Sequence, residues 1–240
     1  MKKLYQYFTW FELILWGSCV AAIIVSFLLF DCENILALVA SLVGITSLIF
    51  NAKGNPLGQA LMIVFSIIYG IISFSYAYYG EMLTYLCMTA PMAVIALVSW
   101  LKNPYQGNRC EVKVNKLKTM EYVFMFAITA VVTLIFYWIL FAFETANLLL
   151  STASVATSFI AVYLTFRRSP FFALAYAAND AVLIALWILA MLEDRSYLSV
   201  VVCFGAFLLS DIYGFYSWKK MLCRQSSENS VQAEQNLRTE

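Results

Sequence analysis

Asn179 and Asp180 stand side by side in a stretch, Phe171 to Leu192, that is otherwise almost wholly apolar. The stretch is long enough to cross a bilayer, and an ionisable residue at mid-depth costs roughly 2.5–3.5 kcal/mol on insertion scales. The pair is therefore expected to face a protein interior or a wet cavity rather than lipid. Phe172, Tyr176, Asn179, Leu183 and Trp187 recur at three- and four-residue steps and share one helical face, with Asp180 about 100° round from Asn179. A phenol, stacking surface and an amide that donates and accepts suit a flat ring with polar edges. Aromatics on such a face also pack helices together, and an Asn can bridge two of them. The aromatics alone thus carry no function.

Asp211 lies in the next apolar stretch, with Gly214, Phe215 and Trp218 on its face. It can accept from a substrate hydroxyl, share a proton with Asp180, or merely bond to a neighbouring helix. Earlier in the chain, Gln59, Ser66, Tyr69 and Ser73, then Tyr85, Met88 and Thr89, complete the set of substrate-binding candidates. Pro91 follows them inside an apolar stretch, where it frees a carbonyl and predicts a kink.

These residues need a membrane scaffold to position them. The chain is 63% hydrophobic and 12% charged, against about 25% charged for soluble domains, so it is read as an all-α polytopic membrane protein. Eight apolar spans fit a ~30 Å hydrocarbon core: approximately 10–30, 34–50, 57–79, 82–101, 121–142, 146–165, 171–192 and 198–218. The second is the shortest and is expected to be tilted or broken.

Basic residues cluster on alternate loops. Lys2 and Lys3 precede span one, Lys53 follows span two, and Lys102, Arg109, Lys113, Lys116 and Lys118 follow span four. Arg167 and Arg168 follow span six, and Lys219, Lys220 and Arg224 follow span eight; the other loops hold Asp31, Glu33, Glu81, Glu144, Glu193 and Asp194. By the positive-inside rule both termini are expected to be cytoplasmic, and the protein is expected in the plasma membrane. The net charge of +1 is the sum of a basic and an acidic face and implies no nucleic-acid partner. The basic loop from Lys102 to Lys118 is expected to set topology and touch anionic lipid.

The six cysteines include no CxxC spacing, and the chain has no His, which excludes His-dependent triads and zinc-hydrolase motifs. No metal or cofactor is expected. Trp10, Trp16, Trp100, Trp138 and Trp218 lie mostly near span ends, where an aromatic belt anchors a bundle. Span one, led by Lys2 and Lys3, is expected to be an uncleaved anchor. The polar segment 225–240 is expected to be a disordered cytoplasmic tail.

Two segments look alike. Ser41 to Lys102 holds a helix ending near Asn51, a turn with Pro56, two more helices and then Ser99-Trp100; Ser154 to Lys219 holds a helix ending at Arg167-Arg168, a turn with Pro170, two more helices and then Ser217-Trp218. Span five reverses the chain between them. The expected organisation is an extra N-terminal helix, 1–33, then a core, 34–220, built of repeat one (34–102), a linker helix (121–142) and repeat two (146–220). Parallel repeats of this kind are a transporter design with the substrate site near the midplane.

With this repeat, Asn179 on span seven and a Trp closing each half, the chain resembles the PnuC family of vitamin transporters, similar in fold to SWEET sugar transporters. The resemblance covers roughly residues 35 to 220. It rests on GNPLGQALMIVFSIIYG around span three, Tyr79-Gly80, YLCMTAP entering span four, Ser99-Trp100-Leu101-Lys102-Asn103 and Asn179. It implies a 3+1+3 core, facilitated uptake of nicotinamide riboside without a coupling ion, trapping by a cytoplasmic kinase, and a homotrimer. The chain departs from the family pattern at Ala93 and Ala96-Leu97, where an amide and a Gly-Trp are common, and keeps the closing Trp as Trp100; Asp180 stands where many members are apolar. A deoxynucleoside, thiamine or riboflavin is the alternative substrate.

Two other classes compete. An intramembrane aspartyl enzyme would use Asp180 and Asp211 as a dyad, but the chain reads Asn179-Asp180 and Ser210-Asp211 where those enzymes resemble Tyr-Asp and Gly-x-Gly-Asp. A ligand-binding subunit of a partner ATPase is the other, and the chain itself carries no Walker A loop.

Overall fold

The computed structural model describes residues 7–75, 79–145 and 147–239. Lys2, Lys3, the first residue of the sixth expected span and the last residue of the expected tail lie outside the described residues. Among the described residues, eight helices are long and apolar enough to cross a membrane. They are α1 (Trp10–Phe30), α2 (Ile35–Ala52), α3 (Pro56–Ser75), α4, α5 (Thr119–Ala142), α6 (Leu148–Phe166), α7 (Phe171–Glu193) and α8 (Leu198–Thr239). The fourth, α4, has three consecutive parts: Tyr79–Leu83, a π-helical stretch Thr84–Thr89, and Ala90–Lys102.

Local chemistry sets several of these boundaries. At α1, Thr9 and Glu12 form a reciprocal capping box: the Glu12 amide donates to Thr9 Oγ1, and the Thr9 amide donates to Glu12 Oε2 at 2.6 Å, satisfying two orphan donors. Asn34 caps α2 by accepting from the Ala37 amide. Pro56 opens α3, where its missing N–H costs nothing.

Two expectations about regularity change. The second span, α2, is unbroken over 18 residues; the interrupted helix is α4. There the Ala90 amide donates to the Tyr85 carbonyl and Thr89 Oγ1 donates to the Thr84 carbonyl, each five residues back. Pro91 supplies no N–H to the next turn, and the wide turn immediately before it takes up the mismatch.

The helices pack as two groups. α3 lies against α2 and α4, α7 lies against α6 and α8, and the groups meet where α8 touches α2 and α4 touches α6. α1 rests on α2 and α8, held by Glu12, which is 1% exposed and accepts from Tyr213 Oη at 2.7 Å and Lys53 Nζ at 3.3 Å. α5 rests mainly on α6, and Phe124, Phe126, Leu134 and Trp138 stay exposed on its other side. The loops after α2, α4 and α6 and the Lys219-Lys220 region of α8 share one end of the bundle, here called the basic end, and the intervening loops form the acidic end.

The basic end is stitched shut. Segment 103–118 carries a hairpin, β1 (Pro104–Tyr105) against β2 (Asn108–Val112), turned through Gln106 and Gly107, both at positive φ, as a two-residue hairpin turn requires. The strand then crosses the bundle: the Val112 amide donates to the Gly54 carbonyl at 3.0 Å and the Asn115 amide to the Arg168 carbonyl at 3.0 Å. Segment 103–118 is therefore a strap that ties two inter-helix turns together, and not simply a lipid-facing loop. It also orders residues expected to be a disordered tail. Gln225 is buried, accepting from the Val114 amide and donating to Glu111 and to the Val112 carbonyl, and α8 continues as helix to Thr239.

Two of the expected anchoring tryptophans are core residues. Trp10 and Trp138 are 76% and 61% exposed, in keeping with a belt, but Trp100 and Trp218 are both 0% exposed. Their rings pack at 5.3 Å between centroids, with Phe172 against Trp218 at 4.8 Å. Each indole donates to the far group: Trp100 Nε1 to the Thr165 carbonyl at 2.9 Å, and Trp218 Nε1 to the Asn51 carbonyl at 2.7 Å. The serine before each does the same, Ser99 to the Phe166 carbonyl and Ser217 to the Ala52 carbonyl. Asn51 and Thr165 also accept from the backbone of their own turns, the Gly54 and Arg168 amides, so the indoles and serines add donors to the ends of α2 and α6 from across the interface.

Candidate functional site

The polar centre of the bundle is built on the middle of α7. Asn179 and Asp180 are both 4% exposed. Asn179 Oδ1 faces hydroxyls of α6: Ser158 and Thr157 at 2.9 Å and Ser154 at 3.3 Å. An amide oxygen has two lone pairs, so the supply exceeds the demand, and Thr157 alternatively donates to the Ala153 carbonyl in its own helix. The amide is thus gripped by its oxygen end. Among the described residues nothing accepts from its Nδ2, which is left to donate to a ligand.

Asp180 sits within hydrogen-bonding reach of Asp211 on α8, itself 5% exposed. Among the described residues its Oδ2 has no hydrogen-bond partner. Two carboxyl groups this close cannot both be ionised at low cost. They can share a proton, or together accept from hydroxyls or sit beside a cationic ring.

The ring-bearing candidates on α3 and α4 come to this centre from the opposite group. Tyr69 and Tyr85 pack at 4.5 Å between centroids, and Phe65 meets both, at 5.5 and 5.8 Å. Tyr85 lies within electrostatic range of Asp180 and Tyr176. Tyr69 and Trp187 line a cavity that opens toward the acidic end between Asp31, Ser41 and Ser199. Its volume of ≈ 60 Å³ holds a few waters, whereas ligand pockets span about 300–1,000 Å³. Asn179, Asp180 and Asp211 do not line this cavity and are themselves buried, so the centre is closed off in this conformation.

Not every candidate gathers there. Gln59 lies at the basic end, donating from Nε2 to Asn51 Oδ1 at 2.8 Å while Asn51 donates to Ser47. Gly58 is required beside this pair, since a Cβ there would collide with the Asn51 amide. Ser66 donates to the Met62 carbonyl of its own helix. Met88 packs with Leu140 and Val155, on the side of α4 facing α5 and α6. The shared face of α7 also divides. Phe172 and Tyr176 belong with Trp100 and Trp218, while Leu183 and Trp187 belong with the acidic-end core. Tyr176 and Trp187, eleven residues apart, are separated by about 16 Å along the helix, too far to hold one ring between them.

Ser154, Thr157 and Ser158 escaped the reading of the sequence, although their spacing of three and four marks one helical face. Glu81 also escaped it. Placed among the acidic loop residues, it is instead 8% exposed, with Oε2 lacking a hydrogen-bond partner among the described residues.

Residues 34–220 match the family described as Nicotinamide mononucleotide transporter. Over 232 residues the chain is 25% identical to the nicotinamide riboside transporter PnuC of Neisseria mucosa, covering 95% of this chain and 88% of that protein. It is 23% identical over 193 residues to the PnuC of Haemophilus influenzae, covering 80% of this chain and 82% of the relative. The crystal structure of the vitamin B3 transporter PnuC has the same fold, with a TM-score of 0.79, 23% identity, and coverage of 91% of this chain and 94% of that one. The aspartates do approach each other as an aspartyl enzyme would need, but the matched family and both relatives are transporters. The chain is a multi-pass membrane protein and belongs to the PnuC, or nicotinamide mononucleotide transporter, family.

Proposed function

We propose that this protein takes up nicotinamide riboside across the plasma membrane by alternating access around the Asn179–Asp180–Asp211 centre. The observation that carries the reading is the arrangement of Asn179: its oxygen is held by α6 and its Nδ2 is uncommitted beside an acidic pair. Nδ2 donates to the carboxamide or ribose, Asp180 and Asp211 accept from ribose hydroxyls, and Tyr85 with Tyr69 or Tyr176 stacks on the ring. Trp187 acts nearer the acidic end, as a cap over the cavity.

The acidity of the centre favours the riboside over its mononucleotide. None of the eight apolar spans contains a Lys or Arg, so a phosphate would meet two carboxyl groups with no guanidinium or ammonium to offset them. Lack of an amide at Ala93 and a small wall at Ala96 support a second reading, in which a deoxynucleoside or another ring vitamin is the cargo. A buried polar group rejects a ligand without its partner far more strongly than an apolar wall discriminates size.

The basic end is cytoplasmic by the charge rule, and 34–102 and 146–220 act as two parallel repeats rocking about the centre. The crossed Ser-Trp caps, each half closing the other, support that division. Phosphorylation by a cytoplasmic kinase traps the cargo, and the exposed apolar side of α5 serves lipid contact and a homotrimer.

Calorimetric titration of the purified protein with nicotinamide riboside, its mononucleotide, thymidine, thiamine and riboflavin tests the reading, with Asn179→Ala alongside. Micromolar or tighter binding of the riboside, weakened at least about tenfold in the variant, is the expected result. Tight binding of a different ligand moves the cargo and keeps the site. Affinity within twofold of wild type in Asn179→Ala removes the site.

A further inference from the structure

Glu81 has no part in the centre described above, yet its setting is unusual. It stands one turn into α4 at the acidic end, more than nine-tenths buried, with no hydrogen-bond donor on Oε2 among the described residues. It forms no ion pair among the described residues, whose Lys and Arg at the acidic end reduce to Arg195. A carboxylate held out of water without a cation or donors is strongly disfavoured, so Glu81 either carries a proton or meets a cationic occupant for part of the working cycle.

The surroundings supply room for such an occupant. Glu81 lines a recess of ≈ 330 Å³ between α4, the start of α6 and the end of α7, within the size range of small-ligand sites. Asn147, Thr145 and Glu193 line the same recess, and Leu186 and Leu189 form its apolar wall. On its inner side Glu81 lies within electrostatic range of Tyr69 and Tyr85, the packed phenol pair that borders the transport centre. A carboxylate with aromatic rings nearby is the chemistry that recognises a flat cation.

We infer that the Glu81 recess is an entry site for a positively charged aromatic nitrogen ring, where cargo docks from the acidic end before passing Tyr69 and Tyr85 to the centre. The inference rests on the proposed cargo, since the pyridinium of nicotinamide riboside carries such a charge and its reduced, dihydro form does not. Glu81 discriminates between the two, whereas Asn179 recognises groups they share.

Binding of three ligands to the purified full-length protein tests this: nicotinamide riboside, its neutral dihydro form, and 1-methylnicotinamide, a pyridinium without ribose. Each is measured on wild type, Glu81→Gln and Glu81→Asp. In Glu81→Gln both cations are expected to weaken at least about tenfold while the dihydro riboside stays within twofold, which also shows that the variant is folded. Glu81→Asp keeps the charge and is expected to retain the preference for the cation. Equal weakening of charged and neutral ligands, or no change in either, overturns the entry site. If wild type binds neither nucleoside, the proposed cargo fails, and 1-methylnicotinamide decides alone: binding lost in Glu81→Gln upholds the site, and equal or absent binding in both proteins overturns it.

Discussion

The two ends of the bundle solve opposite problems. At the basic end, polar groups reach across the interface to partners: indoles and serines cap the carbonyls of the opposite group, and the strap pins Gly54 and Arg168. At the acidic end, polar side chains are left over. Glu81 lines a recess, with no donor to its Oε2 among the described residues. Among the described residues the basic end joins the two groups by cross-interface hydrogen bonds, although Arg167 Nε and Arg168 Nε find no partner there, whereas the acidic end holds a buried carboxyl oxygen of Glu81 without a partner beside an open recess.

Removing the centre of the closed end should have the largest effect. Trp218→Ala deletes a fully buried ring and removes the indole donor to the Asn51 carbonyl, and is expected to lower stability by about 3–5 kcal/mol, read as the thermal midpoint in detergent. A midpoint within a degree or two of wild type would mean that the basic end is not a packed seal.

The next effect falls on α1. Glu12→Ala leaves Lys53 and Tyr213 without their shared acceptor and should cost about 2–4 kcal/mol. Limited proteolysis between α1 and α2 reports whether the extra helix detaches.

A smaller change sharpens the crossing itself. Ser99→Ala and Ser217→Ala each remove one hydrogen bond to a far helix end, worth about 0.5–1.5 kcal/mol. Because both serve one closure, the double variant should show a coupling of at least about 0.5 kcal/mol. Strict additivity would mean that the two caps act independently. Labelling of a cysteine introduced at Tyr176 should also become faster from the basic end in the double variant.

The smallest effect should have the opposite sign. Glu81→Gln replaces an acid whose Oε2 lacks a partner among the described residues with a neutral amide of the same shape, so stability, read as the melting midpoint, is expected to stay level or to rise by up to about 1–2 kcal/mol. A clear loss of stability would place Glu81 with the structural groups of the basic end and erase the contrast between the ends.

The sequence alone determined the eight membrane helices, their approximate limits and the segregation of charge. Bilayer thickness fixes how long an apolar run must be, and a buried backbone must bond within its own helix. It also pointed to Asn179, Asp180 and Asp211, since polar residues in the middle of apolar spans need partners inside the protein. What it could not supply was who those partners are. Trp100 and Trp218 looked like interface anchors by position, and only packing between the two groups buried them. Gln59 and Ser66 looked equal to Tyr69 as ligands, but Gln59 bonds to Asn51 and Ser66 bonds within its own helix. Glu81 read as one more acidic loop residue until α4, α6 and α7 closed around it. A side chain's depth along its own helix is a local property that the sequence carries. The face it shares with a neighbour depends on how helices far apart in sequence rotate against one another, and only the tertiary structure decides that.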